Sequence, residues 1–159
     1  MDGTQDADRL EAFTTFVATT QRRVWLPLCV EVGADTADDA VAHALAYAWQ
    51  HWDRVATMAN PAGYVYRTAQ RQARRQRRHR TVDLPRPDDD HQPDFDPRLV
   101  DALARLTDHQ RVAVFVVHGC GWTLREAAEL LDVSISTLRN HLARGMAHLR
   151  TLMEADVNA

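Results

Sequence analysis

The sequence predicts an all-α protein, two small helical modules joined by a flexible, acidic, proline-rich linker. Three observations predict it. Apolar residues recur at spacings of three and four along most of the chain. No segment alternates apolar and polar residues as a half-buried strand does. Residues that open helices stand where the apolar stripes begin. With 159 residues, the chain has material for one ordinary domain or two small ones.

Leu10, Phe13, Phe16, Val17 and Val24 mark a first amphipathic helix over residues 7–26. Pro27 is expected to kink or end it, because proline cannot donate the backbone bond a helix needs. Gly33 and Asp35 then punctuate the chain. Asp35 is the expected cap of a second helix, about 36–53, with Asp38 and Asp39 in the first turn, where the helix dipole favours anions. That helix carries Val41, Leu45, Ala48, Trp49 and Trp52. Asn60-Pro61 opens a third, with Asn as cap and Pro at the first helical position. It holds Tyr64, Val65 and Tyr66 and runs into RQARRQRRHR.

Residues 81–97, TVDLPRPDDDHQPDFDP, contain four prolines, six aspartates and no helical period. They read as an extended, solvated tether. Stretched at ~3.3–3.6 Å per residue it would reach roughly 55–60 Å, enough to serve two well-separated sites. Proteolysis of the free chain is therefore expected to cut here first, leaving fragments near 1–80 and 98–159. Resistance across Pro85–Pro97 would instead mean that the modules pack together and bury it.

Beyond the tether, Leu99, Leu103 and Leu106, then Val112, Val114, Phe115 and Val117, indicate two more helices. Thr123 and Glu126 have the spacing of a capping box and open a helix through Leu131. Ser134 can cap a last helix ending near Met153. The segment TLREAAELLDVSISTLRNHLARG has the layout of a helix-turn-helix. Ala127 and Ala128 are small where two helices must cross, and Asp132 tolerates the left-handed turn conformation. If Leu138 and Leu142 face inward with Val133, helical spacing points Ser136, Arg139 and Asn140 outward. Arginine can bond guanine bidentately, and asparagine adenine. Thr123, Arg125 and Arg144 are then positioned for phosphates.

The net charge of -3 conceals a pattern. Residues 1–53 carry 3 Arg against 9 acids, and residues 81–97 carry one Arg against six Asp. Between them, residues 54–80 carry 8 Arg and no acid, so that is where a polyanion would bind. Arg67, Arg71, Arg74, Arg75 and Arg78 fall at spacings of three and four and form one positive face. Tyr64 and Trp52 lie close by in sequence, and aromatics beside arginines are what single-stranded bases stack on. There is no lysine among the 19 basic residues; arginine's planar fork suits phosphate and guanine.

Other classes are disfavoured. No apolar run approaches the length of a membrane span, and the acidic N-terminus is unlike a secretory signal, so a cytoplasmic protein without membrane insertion is expected. Cys29 and Cys120 form no CxxC pair. His43 and His51, or His141 and His148, could share a helix face, but no carboxylate or cysteine completes a ligand set. No nucleophile–base pair or phosphate-cradling loop is present, so neither catalysis nor a cofactor or metal is expected.

Three blocks together carry a family likeness: ADDAVAHALAYAWQHW, NPAGYVYRTAQRQARRQRRHR, and LVDALARLTDHQRVAVFVVHGCGWTLREAAELLDVSISTLRNHLARGMAHLR. They resemble the extracytoplasmic-function group of bacterial RNA polymerase sigma factors over nearly the whole chain. The resemblance implies a region-2-like module at 7–80, a linker at 81–97 and a region-4-like module at 98–154. It assigns Asp38, Asp39 and His43 to the core polymerase. It assigns Asn60, Tyr64, Arg67, Arg71, Arg74, Arg75 and Arg78 to the minus-ten element of promoter DNA. The minus-thirty-five element falls to Thr123, Arg125, Ser134, Ser136, Thr137, Arg139, Asn140 and Arg144. It further implies a linker threading the polymerase near its RNA path, and an anti-sigma factor that holds the protein inactive. The chain departs from the group's usual residues at Ala42-His43 (Gln-Glu), Arg71 (Asn) and Thr107 (Pro), and Pro27 is unusual in its helix. Two alternatives follow: a helix-turn-helix regulator that no longer engages polymerase, and a sigma mimic that titrates the inhibitor.

Overall fold

The computed structural model describes residues 2–76 and 96–157, and every regular element among them is helical. The first helix, α1, spans Asp2–Val32, and α2 follows at Ala34–Gln50. A short turn of helix, α3 (Trp52–Val55), leads to α4 (Pro61–Gln76). The second half comprises α5 (Pro97–Ala104), α6 (Asp108–Val114) with a π turn at Phe115–Gly119, α7 (Leu124–Leu131) and α8 (Ile135–Val157).

Pro27 does not end the first helix: α1 runs through it. The lost backbone bond is outweighed by burial, because Val24, Leu28, Cys29 and Val30 around it are all fully buried. Fully burying one such side chain is worth about 1.5–3 kcal/mol, and several do so within two turns. Asp35 is not the cap of α2 either. The chain turns one residue after α1 ends, at Gly33 (φ 88°), a conformation a side chain would strain, and Asp35 lies in the first turn of α2. The second predicted helix is divided, since α2 ends at Gln50 and α3 begins at Trp52.

Asn60 does cap α4: its Oδ1 accepts from the Gly63 N–H at 2.8 Å, and Pro61 takes the first position. Most of the tether lies outside the described residues. Its last two residues belong to the second module, where Asp96 caps α5 by accepting from the Arg98 N–H and Pro97 is the first helical residue.

The core is built in three parts. One joins α1, α2, α3 and α4 through Val24, Leu28, Val41, Trp52, Val55, Val65 and Tyr66. A second joins α5, α6 and α8 through Leu103, Leu106, Val114 and Leu149, and a third joins α6, α7 and α8 through Val112, Val116, Ala127, Ala128 and Leu138. Gly145 lets α6 and α8 approach closely, since a Cβ there would stand 2.9 Å from Val114 Cγ2. Leu130 of α7 belongs to the first of these cores, so the two modules are packed against each other.

Candidate nucleic-acid interface

The helix-turn-helix is held by local bonds that its sequence dictates. Thr123 Oγ1 accepts from the Glu126 N–H at 3.2 Å, while the Glu126 carboxylate accepts from the Thr123 N–H at 2.9 Å. These reciprocal bonds satisfy two N–H groups that a helix start leaves open. The Thr123 N–H, together with the Thr123 hydroxyl, which donates to the same carboxylate at 2.8 Å, lowers the pKa of Glu126. Ala127 and Ala128 are buried at the helix crossing. Asp132 takes the left-handed conformation (φ 54°, ψ 49°), and the Val133 N–H returns to Ala128 O at 3.0 Å. Ser134 Oγ accepts from the Thr137 N–H at 3.0 Å and so opens α8.

Leu138 is buried and Leu142 half-buried, which turns the opposite side of α8 to solvent. Ser136, Arg139, Asn140 and Arg144 are exposed there, with Thr123 and Arg125 exposed at the start of α7. Arg125, Arg139 and Arg144 form no ion pair among the described residues, so their guanidinium groups are open to a ligand. The hydroxyls of Ser134, Ser136 and Thr137 are exposed but bonded to one another, at 3.0 and 2.8 Å from Ser134 Oγ. Ile135 beside them is one of two exposed large apolar residues among the described ones, a position that helical spacing did not single out.

The basic face of α4 is present, but its arginines are not equivalent. Arg67, Arg71, Arg74 and Arg75 are all exposed, whereas Arg78 lies outside the described residues. Arg67 Nη1 pairs with Asp132 Oδ2 at 2.8 Å. Arg74 pairs at 3.1 Å with Glu31, whose side chain is 2% exposed. Glu31 also accepts from Gln70 Nε2 at 2.9 Å. Tyr66 is buried beside this cluster, and burial, with the adjacent Glu31 carboxylate, pushes its hydroxyl well above its usual pKa. Arg71 and Arg75 form no ion pair among the described residues.

The aromatic expectation needs correction. Trp52 is only 7% exposed and lies against Phe13 and Phe16, with ring centroids 5.1 and 5.0 Å away. It is core, and no base can stack on it. Tyr64 remains half-exposed, its hydroxyl accepting from Arg54 at 3.3 Å.

Asp38, Asp39 and His43 are exposed on α2, together with Ala42. The indole N–H of Trp25 donates to Asp38 at 2.7 Å. His43 and His51 do not share a helix, because His51 follows α2 and stacks on Tyr47. His141 stacks on His109 at 5.0 Å, and burial, then His109 and Arg144, lowers its pKa. Among the described residues no helix is long and apolar enough to cross a membrane.

The all-α fold and the exposed face of α8 define a helix-turn-helix protein of two packed helical modules. Residues 97–149 match the family described as Sigma-70, region 4, so the second module is a domain of that family. No curated protein matches the chain. Its fold is similar to that of the sigma factor RpoE, seen in a co-crystal structure with the anti-sigma factor NepR from Bartonella quintana. The TM-score is 0.66 at 18% identity, over 92% of this chain and 99% of that one. The region 4 match falls on the third of the blocks that carry the sigma-factor resemblance, and the likeness to RpoE is one of fold.

Proposed function

We propose that the protein is a sigma factor: it binds core RNA polymerase as a monomer and directs promoter-specific initiation, without enzymatic activity of its own and in the cytoplasm. The observation that carries this reading is the region 4 module with Arg139 and Asn140 open on its recognition helix. In such a helix Arg139 reads a guanine and Asn140 an adenine in the major groove of the minus-thirty-five element. Each good bidentate pair discriminates by about 1–3 kcal/mol. Arg125, Arg144 and the hydroxyls of Thr123, Ser134, Ser136 and Thr137 fix the register on the phosphates.

The first module supplies the other half of the work. Asp38, Asp39 and His43 contact the polymerase clamp, and Asn60, Tyr64 and the arginines of α4 hold the opened minus-ten strand. The region-2-like, linker and region-4-like division of the chain follows this assignment. A partner that binds and silences the factor, an anti-sigma protein, is part of the proposal, and the complex of RpoE with NepR is its precedent.

The exposed Ala42-His43 pair, at a place where the group usually has Gln-Glu, favours one second reading. In it the chain keeps its DNA-binding module but no longer engages polymerase. The test mixes the full chain with core polymerase of its own host and genomic promoter fragments. A stable complex and discrete transcripts are expected. Promoter binding without co-purification of core enzyme would select the regulator, and neither activity would select the sigma mimic.

A further inference from the structure

Ile135 is the first residue of α8, and it is 41% exposed. At 3.6 residues per turn it continues, one turn earlier, the apolar stripe of buried Leu138 and half-buried Leu142. Arg139, four positions on, stands at its flank. The other apolar residues around the turn find cover: Leu131, Val133 and Leu142 pack on the core of Val112, Val116 and Leu138. Ile135 belongs to none of the three cores. The stripe thus overhangs the packing, and its first side chain lies between the buried face of α8 and the face that carries Arg139 and Asn140.

A single exposed isoleucine is ordinary, but this position is not. The N-terminal residues of a recognition helix are the ones that meet base edges in the major groove. Around Ile135 the hydroxyls are tied to one another, Ser134 Oγ lying 3.0 Å from Ser136 Oγ and donating to Thr137 Oγ1 at 2.8 Å. The group that projects between them is hydrocarbon. Major-groove base edges present hydrogen-bond donors, acceptors and one apolar group, the C5 methyl of thymine. A branched aliphatic side chain gains only from the last. From this we infer that Ile135 reads a pyrimidine 5-methyl group beside the base read by Arg139, and so sets a preference for thymine over cytosine there. The inference rests on the proposed reading of α8 as a recognition helix. It carries a second consequence: 5-methylcytosine presents the same methyl at the same place, so this side chain senses cytosine methylation as it senses thymine.

The full chain, with core polymerase where it binds it and alone where it does not, selects its upstream duplex from a random pool. In the selected duplex each thymine in turn is replaced by uracil, which removes the methyl and nothing else. At one position this is expected to weaken binding about fourfold, the value of one buried methyl. Ile135→Ala, its folding established by circular dichroism, is expected to bind the thymine duplex at least about fourfold less well. It should also lose the distinction between thymine and uracil at that position alone. With cytosine placed there, 5-methylation should recover about fourfold for the unaltered chain and nothing for the variant. The uracil series uses the unaltered chain, so it decides the matter even if the variant misfolds.

Uracil tolerated at every position overturns the inference. So does a thymine–uracil difference that persists unchanged in folded Ile135→Ala, because the methyl then meets another residue. Arg139→Ala separates this outcome from the wider reading of α8. If it relaxes selection at one base while uracil is tolerated throughout, the recognition helix stands and the Ile135 contact falls. If no sequence is enriched, or neither variant alters the sequence selected, both fall.

Discussion

Replacing Arg111 with alanine destabilises the protein by about 3–5 kcal/mol, the largest loss expected of any arginine in the chain. The side chain is fully buried, which is rare for arginine. Its Nε donates to Leu103 O at 2.9 Å, and Nη2 donates to Leu106 O at 2.9 Å and to Ala104 O at 3.3 Å. Its Nη1 reaches Asp108 at 3.3 Å. Arg111 thus closes the C-terminal end of α5 from a distance, adding a second donor to Leu103 O, which also accepts from the Leu106 N–H at 3.2 Å, and supplying donors to Ala104 O and Leu106 O beyond it. Alanine leaves a void and strips those carbonyls of a buried donor, each loss costing about 1–3 kcal/mol. Arg111→Met retains much of the volume, so the difference between the two variants in urea unfolding measures the void. Arg111→Lys should recover less than half of the stability, because one ammonium cannot span carbonyls on several sides of the planar fork. A loss below about 1 kcal/mol for Arg111→Ala would mean that water replaces the guanidinium and that the site is not closed.

What the sequence made legible is what neighbouring residues decide. Asn60, Thr123 and Ser134 cap their helices as their spacing predicts, and Leu138 turns Arg139 and Asn140 outward. Each of these depends on residues within one or two helical turns. What depended on distant partners was not legible. The rule that proline ends a helix failed at Pro27 because tertiary burial outweighed one missing backbone bond. Trp52 looked available beside the arginines, yet Phe13 and Phe16, far back in α1, enclose it. Nothing in the apolar periodicity singles out Arg111, whose burial depends on carbonyls of Leu103, Leu106 and the distant Val30. The packing of α7 on α4 joins Asn60 to a residue 69 positions away, and periodicity carries no signal of that kind.

The same distance effect changes the decisive experiment on the basic face. From spacing alone, Arg74 and Arg75 are interchangeable exposed positions that alanine should occupy at little cost. In the structure they differ. Arg74 is bound to a Glu31 carboxylate that is almost wholly buried, so Arg74→Ala also destabilises the junction of α1 and α4 and would confound any reading of DNA affinity. Arg71 and Arg75 have no such tie among the described residues. The double variant Arg71→Ala with Arg75→Ala is expected to keep its circular dichroism spectrum and melting temperature. Within the polymerase complex it should open promoters less well, because two cations that track the DNA backbone are gone. The logarithmic salt dependence of DNA binding should become shallower by about 0.7–0.9 for each phosphate no longer neutralised, the lower figure applying to a single strand. Titrating salt against affinity therefore reports which DNA this helix holds, as well as whether it holds any. A slope unchanged in the folded double variant would take α4 off the nucleic acid. Its uncompensated arginines would then fit an acidic protein surface, and the sigma-mimic reading would become the better account of the chain.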